Sequence, residues 1–308
     1  MSTAVKFARR SIRIANGLVN LCVLLAILLL LAFGTYAIWD SSQMHSAASS
    51  VRYQMYRPSA EDEASFAELR AINPDVFAWL TIFGTNIDYP VVQGQDNIRY
   101  VNTDARGRHS LSGALFLDSR SSTNFLDFSS IVYGHHMENQ VMFGEIAMFA
   151  QRSYFEARRY GTLFFDGSEH GLEFFAFVHA DAYDTAVFRT RITEPEEQQA
   201  YLDMLLQRAS HIRPDVPVTI DDRIVLFSTC APDSTNGRDI LIGRITEETS
   251  SDPFRTEQED NTILIPVIDA LPGLWDGAAM WMQISLVVLV LIVIVLGTVL
   301  ICTRRRKR

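Results

Sequence analysis

Two uninterrupted apolar runs constrain this chain more than any other feature. Gly17 to Trp39 and Met280 to Cys302 are each 23 residues long without a single charge. At 1.5 Å per helical residue, either run is long enough to cross ~30 Å of hydrocarbon. Lys6, Arg9, Arg10 and Arg13 precede the first, and Arg304, Arg305, Arg306, Lys307 and Arg308 follow the second. The positive-inside rule then predicts two membrane passes, with both termini cytoplasmic and residues 40–279 outside. A cleaved signal peptide is the rival for the first run. That run is longer than the usual ~7–15 residues and no small-x-small site follows closely, so a retained anchor is expected.

The formal charge of -9 hides a segregation. All 36 acids lie between Asp40 and Asp276, where eighteen arginines and no lysine oppose them. A body that acidic repels phosphate backbones, so nucleic acid is not an expected partner. The cysteines divide in the same way. Cys22 and Cys302 belong to the apolar runs, and Cys230 is the only cysteine of the predicted external body. It has no partner there for an intramolecular disulfide. A lone thiol in an oxidising compartment is either buried and inert or catalytic.

Within the body, Ser41–Arg57 reads as a polar stalk. Pro58–Asn73 reads as a helix with Ser59 as a possible cap and Phe66, Leu69 and Ile72 at helical spacing. Short runs rich in β-branched and aromatic residues follow: VFAWLTIF, IDYPVVQ, GALFLD, SIVYG, YGTLFFD, LEFFAFVHA, VPVTI, RIVLFSTC and DILIGRI. About eight strands in so short a stretch predict a closed barrel or sandwich. Glu194–Ile212 stands apart as a helix, with Leu202, Leu205, Leu206, Ala209 and Ile212 on one face. Thr246–Asn261 is acidic and turn-rich, a linker back to the membrane.

Chemistry concentrates in two places. RIVLFSTC delivers Cys230 to a strand end, and Arg238 opens the next strand eight positions later, so antiparallel neighbours would bring thiol and guanidinium to one rim. A cysteine forming a thioester needs a donor for the oxyanion, and Arg stays charged and offers several N–H groups. The alternative is a surface arginine paired with Asp233 or Asp239. The second place is SIVYGHHMENQVMF, where His135 and His136 follow a strand that ends at Gly134. A nucleophilic cysteine needs a proton partner, and histidine is the usual one near neutral pH. Adjacent residues of an extended chain face opposite ways, so the pair makes poor metal co-ligands. No histidine or cysteine cluster has zinc spacing, and no metal or other cofactor is expected.

In their order along the chain, INPDVFAWLTI, IDYPVVQGQDNIRYV, GALFLD, IVYGHHM and LFSTC followed by Arg238 resemble the class B sortases over about residues 66–245. The resemblance implies a mainly β fold, an eight-stranded sortase barrel with added helices, anchored outside a Gram-positive membrane. It implies cysteine transpeptidation: a Cys attacks a peptide bond in a sorting signal, NPQTN-like by default in this class, and an amine resolves the thioacyl enzyme. The family roles fall on Cys230 as nucleophile, His135 as acid and base, and Arg238 as oxyanion or substrate-positioning group. Ser228 and Thr229 match the motif beside the nucleophile, and Asn97 matches a position near the substrate groove. The implied partners are a surface protein or pilin bearing a sorting signal, and an acceptor amine such as a lipid II peptide or a pilin lysine.

The expected organisation is a basic tail (1–16), a span (17–39), a stalk (40–57), the catalytic domain (58–245), an acidic linker (246–279), a second span (280–302) and a basic tail (303–308). Two departures from the class B pattern stand out. Phe227 replaces the usual leucine before STC, and the C-terminal span is more typical of pilin-polymerising relatives. That leaves cell-wall anchoring and pilus polymerisation both open. The C-terminus also suggests a non-enzymatic alternative, a sortase-anchored surface protein, because Leu271-Pro272-Gly273 precedes an apolar run and a basic tail. Against it, Leu274 and Trp275 replace the Thr and Gly expected of a sorting signal.

Overall fold

The computed structural model describes residues 3–58, 64–137, 140–231 and 235–255. Ser59, Asp233, the second apolar run, most of the acidic linker and the C-terminal tail lie outside these residues. The chain divides into two compact units, and the unit that carries the sheet is Ser41–Arg255.

The first apolar run lies within helix α1 (Thr3–Ala48). Its segment Arg9–Ala37 is the one candidate membrane span among the described residues, and none of its most apolar stretch is buried within the protein. Leu29, Leu30, Leu31 and Phe33 are largely exposed. By length and composition that helix is apolar enough to cross a bilayer.

The expected stalk is only partly a stalk. α1 continues to Ala48, and Ser50–Tyr56 forms a tight 3-10 turn that buries Tyr53 and Tyr56 in the core. Of the next predicted helix, α2 (Ala64–Ile72) is described. Phe66 packs edge-on against Phe164 and Trp79, at 5.4 and 6.4 Å between ring centroids, and Leu69 is buried. Ile72, expected on the same face, is exposed.

Nine strands follow among the described residues: β1 (Val76–Ile82), β2 (Asp88–Val92), β3 (Leu115–Leu117), β4 (Ser129–Tyr133), β5 (Tyr160–Phe165), β6 (Ser168–Asp181), β7 (Ala209–Ile212), β8 (Ile224–Cys230) and β9 (Gly237–Thr246). Eight of them close a ring in the order β5-β1-β2-β3-β4-β8-β9-β6, with β6 pairing back onto β5. β6 is 14 residues long and outruns β5. β7 takes the vacant stretch of that edge, pairing with Ala176–Val178. Closure leaves no long unpaired edge, the usual hazard of a sheet.

β8 and most of β9 are buried on both faces, which explains why IVLF and ILIG read as continuous apolar runs rather than alternating ones. Inside the barrel Phe227 lies edge-on to Phe143 (6.2 Å) and Phe174 (6.0 Å). The leucine-to-phenylalanine departure before STC therefore falls in a fully buried aromatic cluster. On the outer face Ile224, Leu226, Ile240 and Ile242 pack with Tyr201, Leu202 and Leu205 of α3 (Pro195–Arg208).

Two expectations about this region are corrected. The predicted helix to Ile212 stops at Arg208, and Ala209–Ile212 is strand β7 instead. The buried Arg213 draws the chain into the sheet: its backbone N–H donates to Phe175 O at 2.8 Å, and its guanidinium donates to the carbonyls of Phe174 and Phe155. VPVTI forms no strand. Pro217 has no N–H to donate, and Asp222 accepts from the N–H of Thr219 at 2.8 Å, closing a turn there.

Candidate active site

Cys230 ends β8 and stands directly opposite Arg238 in the antiparallel β8–β9 ladder. Six of the seven residues of β8 are buried, and only Cys230 at its end is exposed. The strand therefore works as a buried stem that presents one thiol at the rim. Arg238 is half-buried, and its guanidinium donates to Gly237 O at 2.9 Å. Among the described residues it makes no ion pair. Asp239 is engaged elsewhere, its carboxylate 3.0 Å from His179 Nδ1, because neighbouring side chains on a strand face opposite ways. The fork of Arg238 is thus uncommitted to any described acid.

β4 runs parallel beside β8, with Tyr133 level with Ser228 and the N–H of Gly134 donating to Ser228 O at 3.1 Å. Tyr133 and Ser228 stand two residues before His135 and Cys230 respectively. No side chain fits at Gly134. A Cβ there would lie 2.5 Å from Leu115 and 2.6 Å from Phe143, so glycine lets the chain leave the strand without overpacking the core.

The His135 ring lies 2.8 Å, through Nε2, from the carbonyl of Val101. A carbonyl only accepts, so Nε2 carries the proton and Nδ1 is left for chemistry. The His135 carbonyl accepts from Phe143 N–H at 3.0 Å, and His136 forms an antiparallel bridge with Met142. His136 has a buried Nδ1 without a hydrogen-bond partner among the described residues. The two rings meet different surroundings, as the two-residue period of an extended chain requires.

Ser228 and Thr229 are both buried, and their hydroxyl oxygens have no hydrogen-bond partner among the described residues. Asn97 is part of a built network. Its Nδ2 donates to Asp118 Oδ2 at 2.9 Å and its Oδ1 accepts from Ser119 N–H at 2.8 Å. The fully buried Asp118 also accepts from Arg120 (two bonds of 2.9 Å) and from Tyr133 Oη at 3.2 Å. Burial alone would raise the Asp118 pKa, but the hydrogen bonds from Arg120 and Asn97 outweigh it and hold the carboxyl below its usual range. The motif GALFLD ends in Asp118, yet residue type and spacing gave that acid no part in the site. An acid at the end of an apolar strand, two residues before an arginine, was the available signal.

The candidate residues thus fall into three groups. The structure brings Cys230 and Arg238 to one rim, with His135 two residues beyond the end of the strand beside the nucleophile's, Asn97 is tied to the end of β3, and Ser228 and Thr229 precede the nucleophile on β8. Among the described residues no histidine, cysteine and acid group could hold a metal ion.

No model of a known protein family matches the sequence. Individual proteins do. The chain is 30% identical over 200 residues to sortase B of Staphylococcus aureus, covering 63% of this chain and 80% of that protein. Among solved structures it is similar to the sortase B of the type II pilus of Streptococcus pneumoniae, at 45% identity, with a TM-score of 0.53 over 59% of this chain and 99% of the other. A class B sortase of Streptococcus pyogenes involved in pilus biogenesis is 38% identical, with a TM-score of 0.54 over 59% of this chain and 98% of the other. With the closed eight-stranded barrel and the order of motifs along it, these similarities establish that the chain belongs to the class B sortases, a family of cysteine transpeptidases.

Proposed function

We propose that Cys230, His135 and Arg238 carry out the transpeptidation of a sorting signal. The observation that supports this reading is the register that sets Cys230 opposite Arg238, with Tyr133, two residues before His135, level with Ser228, two residues before Cys230. The Cys230 thiol gives its proton to Nδ1 of His135, the resulting thiolate attacks the scissile carbonyl carbon, and the guanidinium of Arg238 donates to the oxyanion that forms. As the C–N bond breaks, Nδ1–H of His135 protonates the departing amine, leaving the acyl group on sulfur. An incoming amine attacks the thioacyl carbon and gives its proton to Nδ1. The C–S bond breaks and the Cys230 thiolate returns. Asn97 lines the groove, held there by Asp118. Ser228 and Thr229 act on the substrate through the shape of the strand that carries the nucleophile, since both are buried.

The acceptor amine comes from another molecule, because residues 40–279 hold no lysine. A cell-wall precursor peptide is the primary acceptor of this reading, and the donor is a surface protein with an NPQTN-like signal. A second reading, polymerisation of pilin through a pilin lysine, is favoured by the 45% and 38% identity to the two streptococcal pilus sortases. Sortases are cell-surface enzymes, and α1 supplies one apolar helix of spanning length. The proposed topology is two-pass with both tails cytoplasmic, the external part beginning near residue 40.

The test is to incubate the full chain in detergent with sorting peptides and candidate amines. A thioacyl adduct on Cys230, released by hydroxylamine and absent in Cys230→Ala but present in Cys22→Ala, is the expected result. An adduct that survives Cys230→Ala would refute the assignment. Transfer to a pilin lysine peptide in preference to a cell-wall peptide would select the second reading.

A further inference from the structure

His135 lies beyond the end of β4, so the strand register alone does not hold it. Tyr89, at the second position of β2 and 2% exposed, sits where three segments of the catalytic unit meet. Its hydroxyl accepts from the backbone N–H of Met142 at 3.0 Å and donates to the carbonyl of Ala48, the last residue of α1, at 3.0 Å. Met142 bridges His136, and its neighbour Phe143 donates to the carbonyl of His135. The Met142 backbone is also in the left-handed region, with φ of 53°, as is that of Gln140, with φ of 60°. Neither is glycine, and such conformations persist only where the surroundings over-determine them. At Met142 the Tyr89 hydroxyl is the side-chain group that holds the amide.

We infer that Tyr89 is a positioning residue for His135: its hydroxyl fixes Met142, Met142 and Phe143 fix the His135–His136 backbone, and Ala48 fixes the hydroxyl. If Met142 slips, His135 moves and Cys230 does not, because the β8–β9 ladder holds the cysteine independently. Burial pushes the Tyr89 pKa up to about 12, so the group stays a phenol that donates and accepts at once throughout the neutral range. The inference rests on the proposed role of His135, and it adds an element on which that role depends.

The test is peptide transfer by the full chain in detergent micelles. Tyr89→Phe should lower kcat about 10-fold with KM within about twofold, as expected when a catalytic group is displaced while the substrate is still bound normally. The Met142 amide should exchange faster with solvent. Tyr201→Phe removes another buried hydroxyl, one that donates to Val187 O at 2.6 Å on the outer face, and should leave kcat unchanged. In a His135→Ala background, Tyr89→Phe should cost nothing further in single-turnover acylation. The same fold loss in both backgrounds, or a kcat within twofold of the parent protein, would overturn the inference. A loss smaller than about 10-fold for His135→Ala itself would instead sink the histidine assignment on which it stands. If Tyr89→Phe does not fold, 3-fluorotyrosine at position 89 keeps the hydroxyl but weakens it as an acceptor. It should lower kcat about two- to threefold, and an unchanged rate would count against the inference.

Discussion

Cys230 and Arg238 face each other across a continuous ladder that begins at Ile224↔Arg244, whereas His135 stands two residues past the end of its strand and is held by side chains and carbonyls from elsewhere. The proposed reaction needs both parts, but different physics places them. A ladder is local, repetitive and redundant. The loss of one side chain does not shift its register, because the backbone bonds on either side persist. The segment after β4 has no such redundancy, and its geometry depends on a few named groups: Val101 O on the ring, Phe143 N–H on the carbonyl, and the Tyr89 hydroxyl behind Met142. The ladder should therefore tolerate substitution in its neighbours, while the histidine segment should convey changes made at a distance.

The largest effect that tests this contrast is at the histidines. His135→Ala should lower peptide transfer ~100- to 10,000-fold, the usual worth of a general acid and base, while His136→Asn at equal thermal stability should stay near the parent rate. A severe loss for His136 with a mild loss for His135 would reverse the roles and leave Nδ1 of the wrong ring assigned. Next is Arg238. Arg238→Lys should remain strongly impaired, because one ammonium on a flexible stem does not reproduce a planar donor fork. Losing such a donor costs about 100- to 1000-fold. Because Arg238 sits on the ladder, neither Arg238→Lys nor Arg238→Ala should change the reactivity of Cys230 toward a small alkylating reagent by more than a few fold. Near-parent turnover by Arg238→Ala would return Arg238 to an ordinary surface arginine.

The smallest of these effects concerns stability rather than rate. Asp118→Asn removes the charge that gathers Asn97, Arg120 and Tyr133. Breaking a buried pair costs ~3–5 kcal/mol, and because Arg120 is about half exposed we expect about 2 kcal/mol, read as a fall in the urea midpoint. The sign of the pH dependence follows from the direction of the shift. The folded-state pKa of Asp118 lies below its ordinary 3.8, so its contribution is complete above about pH 4 and is lost as pH falls through the folded value. Asp118→Asn should accordingly flatten the acid limb of stability against pH. An unchanged acid limb would mean that the carboxylate is not the group that titrates there.

Much of this molecule was readable residue by residue. The apolar run that begins at Gly17 falls inside one long helix, eight of the nine strand segments read from the sequence form strands, and the Cys230–Arg238 spacing anticipated their pairing across β8 and β9. These features share a cause, since each depends on local periodicity or on a short hairpin connection. The misreadings share the opposite cause. Ala209–Ile212 carries a helical pattern, yet the buried Arg213 and the open edge of β6 claim it as a strand. Ser41–Arg57 looks polar and free, yet Tyr53 and Tyr56 find the barrel. In both cases an interaction distant in sequence overrides the local preference.

The sequence alone held a charge-free spanning run, a lysine-free acidic body, one cysteine at a strand end and an arginine eight residues on, and the order of its motifs carried the resemblance to the class B sortases. Residue type and spacing decide these, and neither needs a third dimension. Which nitrogen of His135 is free, why Gly134 admits no side chain, and how the hydroxyl of Tyr89 comes to lie between Ala48 and Met142 were decided only by the tertiary structure. Each depends on groups that are 34 to 53 residues apart in the chain or on the space that packed neighbours leave. Closing the barrel brings those groups together, and no local pattern in the sequence encodes that closure.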